Sequence, residues 1–415
     1  MKIKELILLI FIITFANNLS AQEVLNEYLV TAAQNNPALK AKFNEYLAAI
    51  EKIPQVGTLP DPQLTFGYFI QPIETRVGPQ KFRLSLAQMF PWFGTLTAKE
   101  NVVIELAKAK LEAFEETKSK LFYEVKSVYF NLYYISNAIP ITKENIDILH
   151  SFRKLALIKL ESGLTSFVDE LRIEMEIADV ENQLAYLKDN FNTLNVSFNN
   201  LLNVDVTSTV ILPDTLWNAV LGMDRLAILD SISLHNHKMQ QLEHKVLLFE
   251  NQEKVAYKMG KPAFSVGIDY MVTGESSNPM IDISETGNDA VLFPKIGISI
   301  PLYRKKYNSM IKEAVLNKEA AINDKANTNN LLFTAFEKAY RDIQDGNRRI
   351  ELYQYQLKLA DKALDILMAE YSTDAKNFEE VLRMERKVLS YSLELDKARA
   401  DKNVAAAFIM YLMGK

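Results

Sequence analysis

The chain has no cysteine, so a disulfide, a thiolate nucleophile and a lipid-bearing N-terminal cysteine are all excluded. Glycine is scarce, 13 of 415 residues, and none of it forms a phosphate-cradling loop. A nucleophile elbow and a zinc-protease His-Glu-x-x-His signature are also missing. Neither sign of charge dominates. The 47 basic residues stand against 52 acidic ones, a net −5, mixed along the chain, which leaves no basic footprint for nucleic acid. Past the N-terminal region there is no apolar run of the roughly 18 residues that a membrane-spanning helix needs. That absence does not touch a β-barrel, whose strands hide in hydropathy.

What is present begins with Lys2 and Lys4 ahead of an apolar run from Leu6 to Phe15, followed by Leu19-Ser20-Ala21. A charged start, a short apolar stretch and small residues predict a signal peptide over 1–21, with Gln22 as the mature start. The chain is therefore expected to be exported. An exported chain without disulfides must be held by its core, a membrane or an oligomer.

The sequence then runs through one pattern twice. Asn36-Pro37-Ala38-Leu39 is echoed by Asn236-His237-Lys238-Met239, and Pro62–Gly67 by Pro262–Gly267. Pro91-Trp92-Phe93 lines up with Pro301-Leu302-Tyr303, and Leu171-Arg172-x-Glu174 with Leu382-Arg383-x-Glu385. Four matches in the same order predict two copies of one unit, over 22–212 and 213–415. Each copy is expected to read helix, two strands, then two long helices. Helical composition covers 23–54 and 224–259. Period-two alternation marks strands at 62–70, 82–88, 263–270 and 294–302. Their apolar sets are Leu64, Phe66, Tyr68 and Ile70; Phe82, Leu84 and Leu86; Phe264, Val266, Ile268 and Tyr270; and Ile296, Ile298, Ile300 and Leu302.

Such strands also suit a half-buried sheet in a soluble domain. Three features favour a membrane. Nine residues at about 3.4 Å each span roughly 30 Å, the thickness of a bilayer core. Tyr68, Phe69, Trp92, Phe93, Tyr270 and Tyr303 cluster toward segment ends, where an interfacial girdle would lie. Nothing else in the chain offers these two hairpins a sheet to join.

From Thr95 to Leu160 only Pro140 interrupts helical composition, and such a helix would reach about 100 Å. Leu121, Val125, Val128, Leu132 and Ile135 alternate spacings of four and three, as do Leu184, Leu187, Phe191, Leu194, Phe198 and Leu201. This is a coiled-coil seam. Residues 305–371 and 376–412 predict a second such hairpin. Only closed barrels and helices span lipid, because an open sheet edge leaves backbone groups unpaired. Four strands cannot close, and eight make a barrel filled by side chains. Three chains would supply twelve strands and leave a lumen. The expected fold class is thus mainly α with a β-barrel contribution: long coiled-coil hairpins plus four membrane strands per chain, closing as a trimer.

At this point the chain resembles the TolC-type outer-membrane efflux family over essentially all of its mature length. The resemblance is carried by Asn36-Pro37-x-Leu39, Leu59-Pro60-Asp61-Pro62, and Pro91-Trp92-Phe93-Gly94. The twofold pattern and the small-residue turns Ser162-Gly163 and Ser372-Thr373 add to it. Leu-Pro-Asp-Pro is similar to the heavy-metal-efflux branch. The resemblance implies a homotrimer in outer-membrane lipid, with a twelve-stranded barrel and a periplasmic helical tunnel. It also implies a periplasmic adaptor (membrane fusion) protein and an inner-membrane pump as partners. It places the helix–helix turns at a tip that serves as gate or adaptor-docking surface. The residues offered there are Gly163, Ser166, Asp169, Glu170, Arg172, Tyr371, Asp374, Glu379 and Arg383. The missing lipid-anchor cysteine departs from lipidated relatives, so their anchoring is not carried over. Residues 278–289 are expected as a longer polar extracellular loop.

No cofactor, metal site, catalytic residue or nucleic-acid partner is expected. His237 and His244 share a helix face near His235, but no third ligand stands at diagnostic spacing, so a solvated helix start is the better reading. Met89, Met175, Met259 and Met310 are scattered as core filling would be. The leading expectation is a passive exit duct, not an enzyme. A soluble periplasmic coiled-coil adaptor and an exported helical enzyme are the alternatives.

Overall fold

The computed structural model describes residues 21–76, 78–163, 166–217, 219–276, 280, 290–373 and 378–415. The expected signal peptide therefore lies, apart from Ala21, outside the described residues. So does the expected polar loop at 278–289, apart from Met280. The elements in chain order are α1 (Ala21–Asn35), α2 (Pro37–Gly57), β1 (Gln63–Tyr68), β2 (Gln80–Phe90), α3 (Thr95–Glu161) and α4 (Phe167–Leu202). They continue with α5 (Arg225–His235), α6 (His237–Met259), β3 (Ala263–Thr273), β4 (Ala290–Ser299), α7 (Arg304–Thr373) and α8 (Phe378–Leu412). Among the described residues no helix is long and apolar enough to cross a membrane.

Two stretches expected as single helices are each broken by an asparagine. Pro37 has no N–H and suits only the first turn of a helix, so α2 restarts there. Asn36 caps it, its Oδ1 accepting from the N–H groups of Ala38 at 3.0 Å and Leu39 at 3.2 Å. Asn236 makes the matching break between α5 and α6. Each asparagine also ties its break to the C-terminal end of a later helix. Asn36 Nδ2 donates to Leu201 O at 3.1 Å, and Asn236 Nδ2 to Leu412 O at 2.9 Å. The last carbonyls of a helix have no partner within it, and a side-chain amide satisfies one of them.

Packing divides the chain into two compact units, and each draws on both halves of the sequence. The first comprises residues up to Lys42, Phe114–His237 and Asn329–Lys415. Its core holds the predicted seam. Leu121, Val125, Leu132, Ile135, Leu187 and Phe198 are buried, and Val128, Leu184, Phe191, Leu194 and Leu201 pack against them. Around Phe198 the rings of Tyr28 and Tyr129 stand with centroids 5.0 and 6.0 Å away. Pro140 sits inside α3 without ending it. One backbone donor is lost there, and buried Ile135, Ala138, Ile146 and Leu149 hold the helix on both sides.

The second unit comprises Phe43–Ala113 and Lys238–Thr328. It contains a four-stranded antiparallel sheet in the order β1-β2-β3-β4. The two hairpins are thus not isolated: β2 pairs with β3 from Gln80↔Thr273 to Phe90↔Phe264. The strand expected from 294 begins at Ala290 and takes Pro294 into its middle, opposite Ile268. Proline removes a ladder donor, which an edge strand such as β4 tolerates. Where β2 leaves the sheet, Gly94 adopts φ +71, and a Cβ there would meet Lys258 Nζ at 2.9 Å. Ion pairs join helical segments of this unit: Glu45–Lys110 at 2.7 Å and Glu253–Lys318 at 2.9 Å.

Candidate functional site

The turn-bearing ends of the two long hairpins meet in the first unit. α3 ends at Ser162-Gly163, where Gly163 takes φ +70 with no atom within 4 Å of its would-be Cβ, so conformation alone selects glycine. Ser166 caps α4, its Oγ accepting from Val168 N at 3.2 Å. Asp169 and Glu170 follow in the first turn, where the helix dipole favours negative charge. Tyr371 packs its ring 4.8 Å from Phe378, so the two ends of the second turn close on each other. Asp374 lies outside the described residues.

These nine expected positions do not share one environment. Glu170 and Tyr371 are buried. Arg153 donates to Glu170 Oε1 through both Nε at 3.1 Å and NH2 at 2.8 Å, and these charge-assisted bonds secure a desolvated carboxylate. Glu170 and Tyr371 thus pack inside the hairpin ends of this chain. Gly163, Ser166, Arg172, Glu379 and Arg383 are exposed. Arg172 bonds Asp169 on its own helix at 3.4 Å and reaches across to Glu379 of α8 at 3.2 Å. That contact joins the two hairpins by an exposed ion pair, worth less than about 1 kcal/mol. Arg383 meets Glu380 on its own helix.

Several residues that tie the ends together gave no signal in the sequence. Lys159 Nζ donates to the carbonyls of Tyr371 and Ser372 and stands 4.6 Å from the centroid of the Tyr371 ring. The pair bridges α3 and α7. Arg386 bonds the buried Glu176. Asn145 Nδ2 donates to Glu385 Oε1 at 2.6 Å, both side chains being buried. Burial raises the Glu385 carboxyl to about 7, opposed by the Asn145 bond and helped by the charge of Asp361. Each is an ordinary polar residue on a helix, and helical periodicity does not reveal which neighbour it will meet.

In the second unit the sheet has two unlike faces. Residues Leu64, Leu86, Ile268 and Pro294 form one rung across all four strands, and Phe66, Leu84, Tyr270 and Leu292 the next. These two rungs are apolar from edge to edge, and the rung beyond them sets Val266 and Ile296 beside one polar residue, Gln88; yet Phe66 is 65% and Ile296 84% exposed. A contiguous apolar surface of this kind marks a lipid or protein contact. Trp92, Phe93 and Phe264 cluster at one end of the strands, with centroids 5.8 to 6.2 Å apart. The other face carries Thr65, Ser85, Gly267 and Gly297, but also Met271 and Phe293, so the alternation is imperfect.

Known proteins place this arrangement. The channel OprN aligns with 94% of this chain and 90% of its own, at TM-score 0.78 and 17% identity. The CmeC outer membrane channel of Campylobacter jejuni aligns with 94% of this chain and 86% of its own, at TM-score 0.76 and 15% identity. The fold is that of the TolC-type outer-membrane efflux channels. No family model matches the chain. Toxin and drug export protein A of Aggregatibacter actinomycetemcomitans is 24% identical over 263 residues, 59% of this chain and 56% of that protein. The chain thus matches little more than half the length of this curated relative. Within the TolC-type fold, the helical-hairpin ends and the two-faced sheet described above are the features open to function.

The histidines behave differently from expectation. His235 is exposed, but His244 is largely covered and lies 2.7 Å from Glu105, which Lys108 also bonds at 2.9 Å. Burial works against the Glu105 carboxylate, yet the bonds from Lys108 and His244 hold its pKa below the ordinary value. Among the described residues no group of three or more His, Cys, Asp or Glu side chains is placed to hold a metal. Met89, Met175 and Met259 do not fill a core; all three are exposed.

Proposed function

We propose that the chain is one protomer of a homotrimeric outer-membrane exit duct, passing cargo delivered by an inner-membrane pump and a periplasmic adaptor. The observation that carries this reading is the sheet. On one face two successive rungs are apolar across all four strands, and among the described residues β1 pairs only with β2 and β4 only with β3. Lipid would cover such a face, but no open edge survives in lipid. Copies of the same chain supply the missing neighbours, and twelve strands from three copies close around a lumen. The TolC-type fold supports the same reading, and the export relative supports its export role.

The helices of the first unit add a second support. On α7 the exposed Leu352, Tyr355, Leu359 and Ile366 recur at spacings of three, four and seven. On α4 the exposed Val168, Leu171 and Met175 recur at three and four. These are coiled-coil seams left exposed among the described residues, and a second copy would cover them. The reading includes an internal duplication over 22–212 and 213–415 and a passive, non-enzymatic role. It also makes the hairpin ends, with Arg172, Glu379 and Arg383 exposed, the gate or adaptor-docking surface.

The test is the mass and extraction behaviour of the full-length protein. A trimer in detergent, by light scattering corrected for bound detergent, that resists high-salt and carbonate washing of membranes is expected. A water-soluble monomer would remove the barrel and return the chain to the soluble adaptor reading.

A further inference from the structure

Resting on the duct reading, one charged cluster on the polar face of the sheet has a use beyond a passive wall. Asp269, in the middle of β3, is 2% exposed. It is covered by Lys295 Nζ of β4 at 2.5 Å and by Arg83 Nε of β2 at 3.5 Å. Arg83 Nε also donates to Ser85 Oγ at 3.1 Å, and Ser85 stands opposite Asp269 in the β2–β3 register. The neighbours along this face, Gln63, Thr65, Ala87, Ser265, Gly267 and Gly297, carry no charge. Two cations against one carboxylate leave this cluster with a surplus of one positive charge. A surplus charge is costly in a dry site, so this face must meet water or a counter-ion. Both cations are open to that side, with side-chain exposures of 46% for Arg83 and 35% for Lys295.

We infer that Arg83, Asp269 and Lys295 set the charge selectivity of the duct. Three chains place three such clusters at one level of the lumen, a fixed positive belt. Such a belt raises the local concentration of anions and lowers that of cations. Cargo bearing carboxylate, phosphate or sulfonate groups passes it more readily than cationic cargo of the same size. Asp269 has two roles in this belt. It offsets one of the two cations, and it holds both against the wall, keeping the lumen clear.

The absence of cysteine makes the test direct. Thr65→Cys puts a single thiol on the polar face, in the same rung as Ser85 and Asp269, two strand spacings or about 10 Å from the carboxylate. Leu64→Cys puts one on the apolar face as a control. The full-length protein in membranes is treated, at low salt, with an anionic and a cationic methanethiosulfonate of similar size, and the ratio of the two modification rates is read. One unit charge at that distance in water changes the ratio about four-fold. Asp269→Asn should raise the anion-to-cation ratio by about that factor. Lys295→Gln and Arg83→Gln should each lower it, so a variant that fails to insert leaves the others to decide. A ratio unmoved by these substitutions, with Thr65→Cys labelled and Leu64→Cys protected, would overturn the inference and leave the duct standing. Equal labelling of the two cysteines in membranes would remove the water-filled lumen itself, and the belt with it.

Discussion

Glu174 and Glu385 stand at matching places in the two halves of the sequence, each second after a Leu-Arg pair. Glu174 is exposed and shares Arg153 with Glu170, at 3.3 Å. Glu385 is 2% exposed, has Asn145 in place of a cation, and holds its proton up to about pH 7. Their arginines differ in the same way: Arg172 reaches across to the other hairpin, while Arg383 meets Glu380 on its own helix. A repeated motif therefore preserves the helix and its turn without preserving the environment. The first-half hairpin end is tied by ion pairs, whereas the second holds an ionisable group inside the core. Similar segments that pack against one another cannot have identical surroundings unless they are related by exact symmetry, and two segments of one chain are not.

The largest expected effect separates the two glutamates. Glu385 has a folded-state pKa of about 7 against an ordinary 4.5. The folded protein then binds the extra proton between those values, and its stability falls as pH rises through that window. The cost, on the order of 3 kcal/mol, is fully present above pH 7 and absent below about 4.5. Glu385→Gln should remove this slope and raise the melting temperature of the detergent-extracted protein at pH 8 more than at pH 5. Glu174→Gln should change either value by less than about 1 kcal/mol in stability, since its ion pair is solvated. Equal pH slopes in the two variants would erase the contrast.

A smaller effect tests the device that the halves do share. Asn236→Ala would strand the Leu412 carbonyl in a buried site and should cost about 2–3 kcal/mol. Asn36→Ala, at a partly exposed break, should cost about 1–2 kcal/mol through the lost cap and the lost bond to Leu201. Denaturation by guanidinium of the two variants side by side reads the difference, and the reverse order would mean the breaks are held by something other than these amides.

The smallest stability change belongs to Arg172→Ala, under about 1 kcal/mol for an exposed pair. If the hairpin ends form a gate, this substitution should nevertheless raise single-channel conductance in planar bilayers, because it severs the link to Glu379. Arg383→Ala, which breaks a contact within one helix, should leave conductance at the parental level. A rise in neither variant would remove Arg172 from the gate.

The seams were legible from spacing. Leu121, Val125, Leu132 and Ile135 are buried as their alternation of four and three requires. The strands were legible as segments but not as a sheet, since β2–β3 pairing joins residues about 180 apart and leaves no local trace. Pro37 carried a break that composition alone smoothed over, because helical composition is an average and a cap is a single residue. At the candidate site, the family resemblance pointed to Arg172 and Glu379, which the structure joins at 3.2 Å. It also brought out Glu170 and Tyr371, which the structure buries. Arg153, Lys159 and Asn145 stayed hidden, because an arginine, lysine or asparagine on a long helix looks the same whether it faces water or a carboxylate.

Periodicity and punctuation are properties of a few neighbouring residues, and so the long helices, the four strands, the turns and their apolar faces could be read along the chain. Which cations meet Asp269, which carboxylate stays protonated and which arginine crosses between hairpins depend on strand register and helix rotation. Those follow only when segments hundreds of residues apart are packed together, because a side chain's charge state and partners are set by what surrounds it and not by what precedes it.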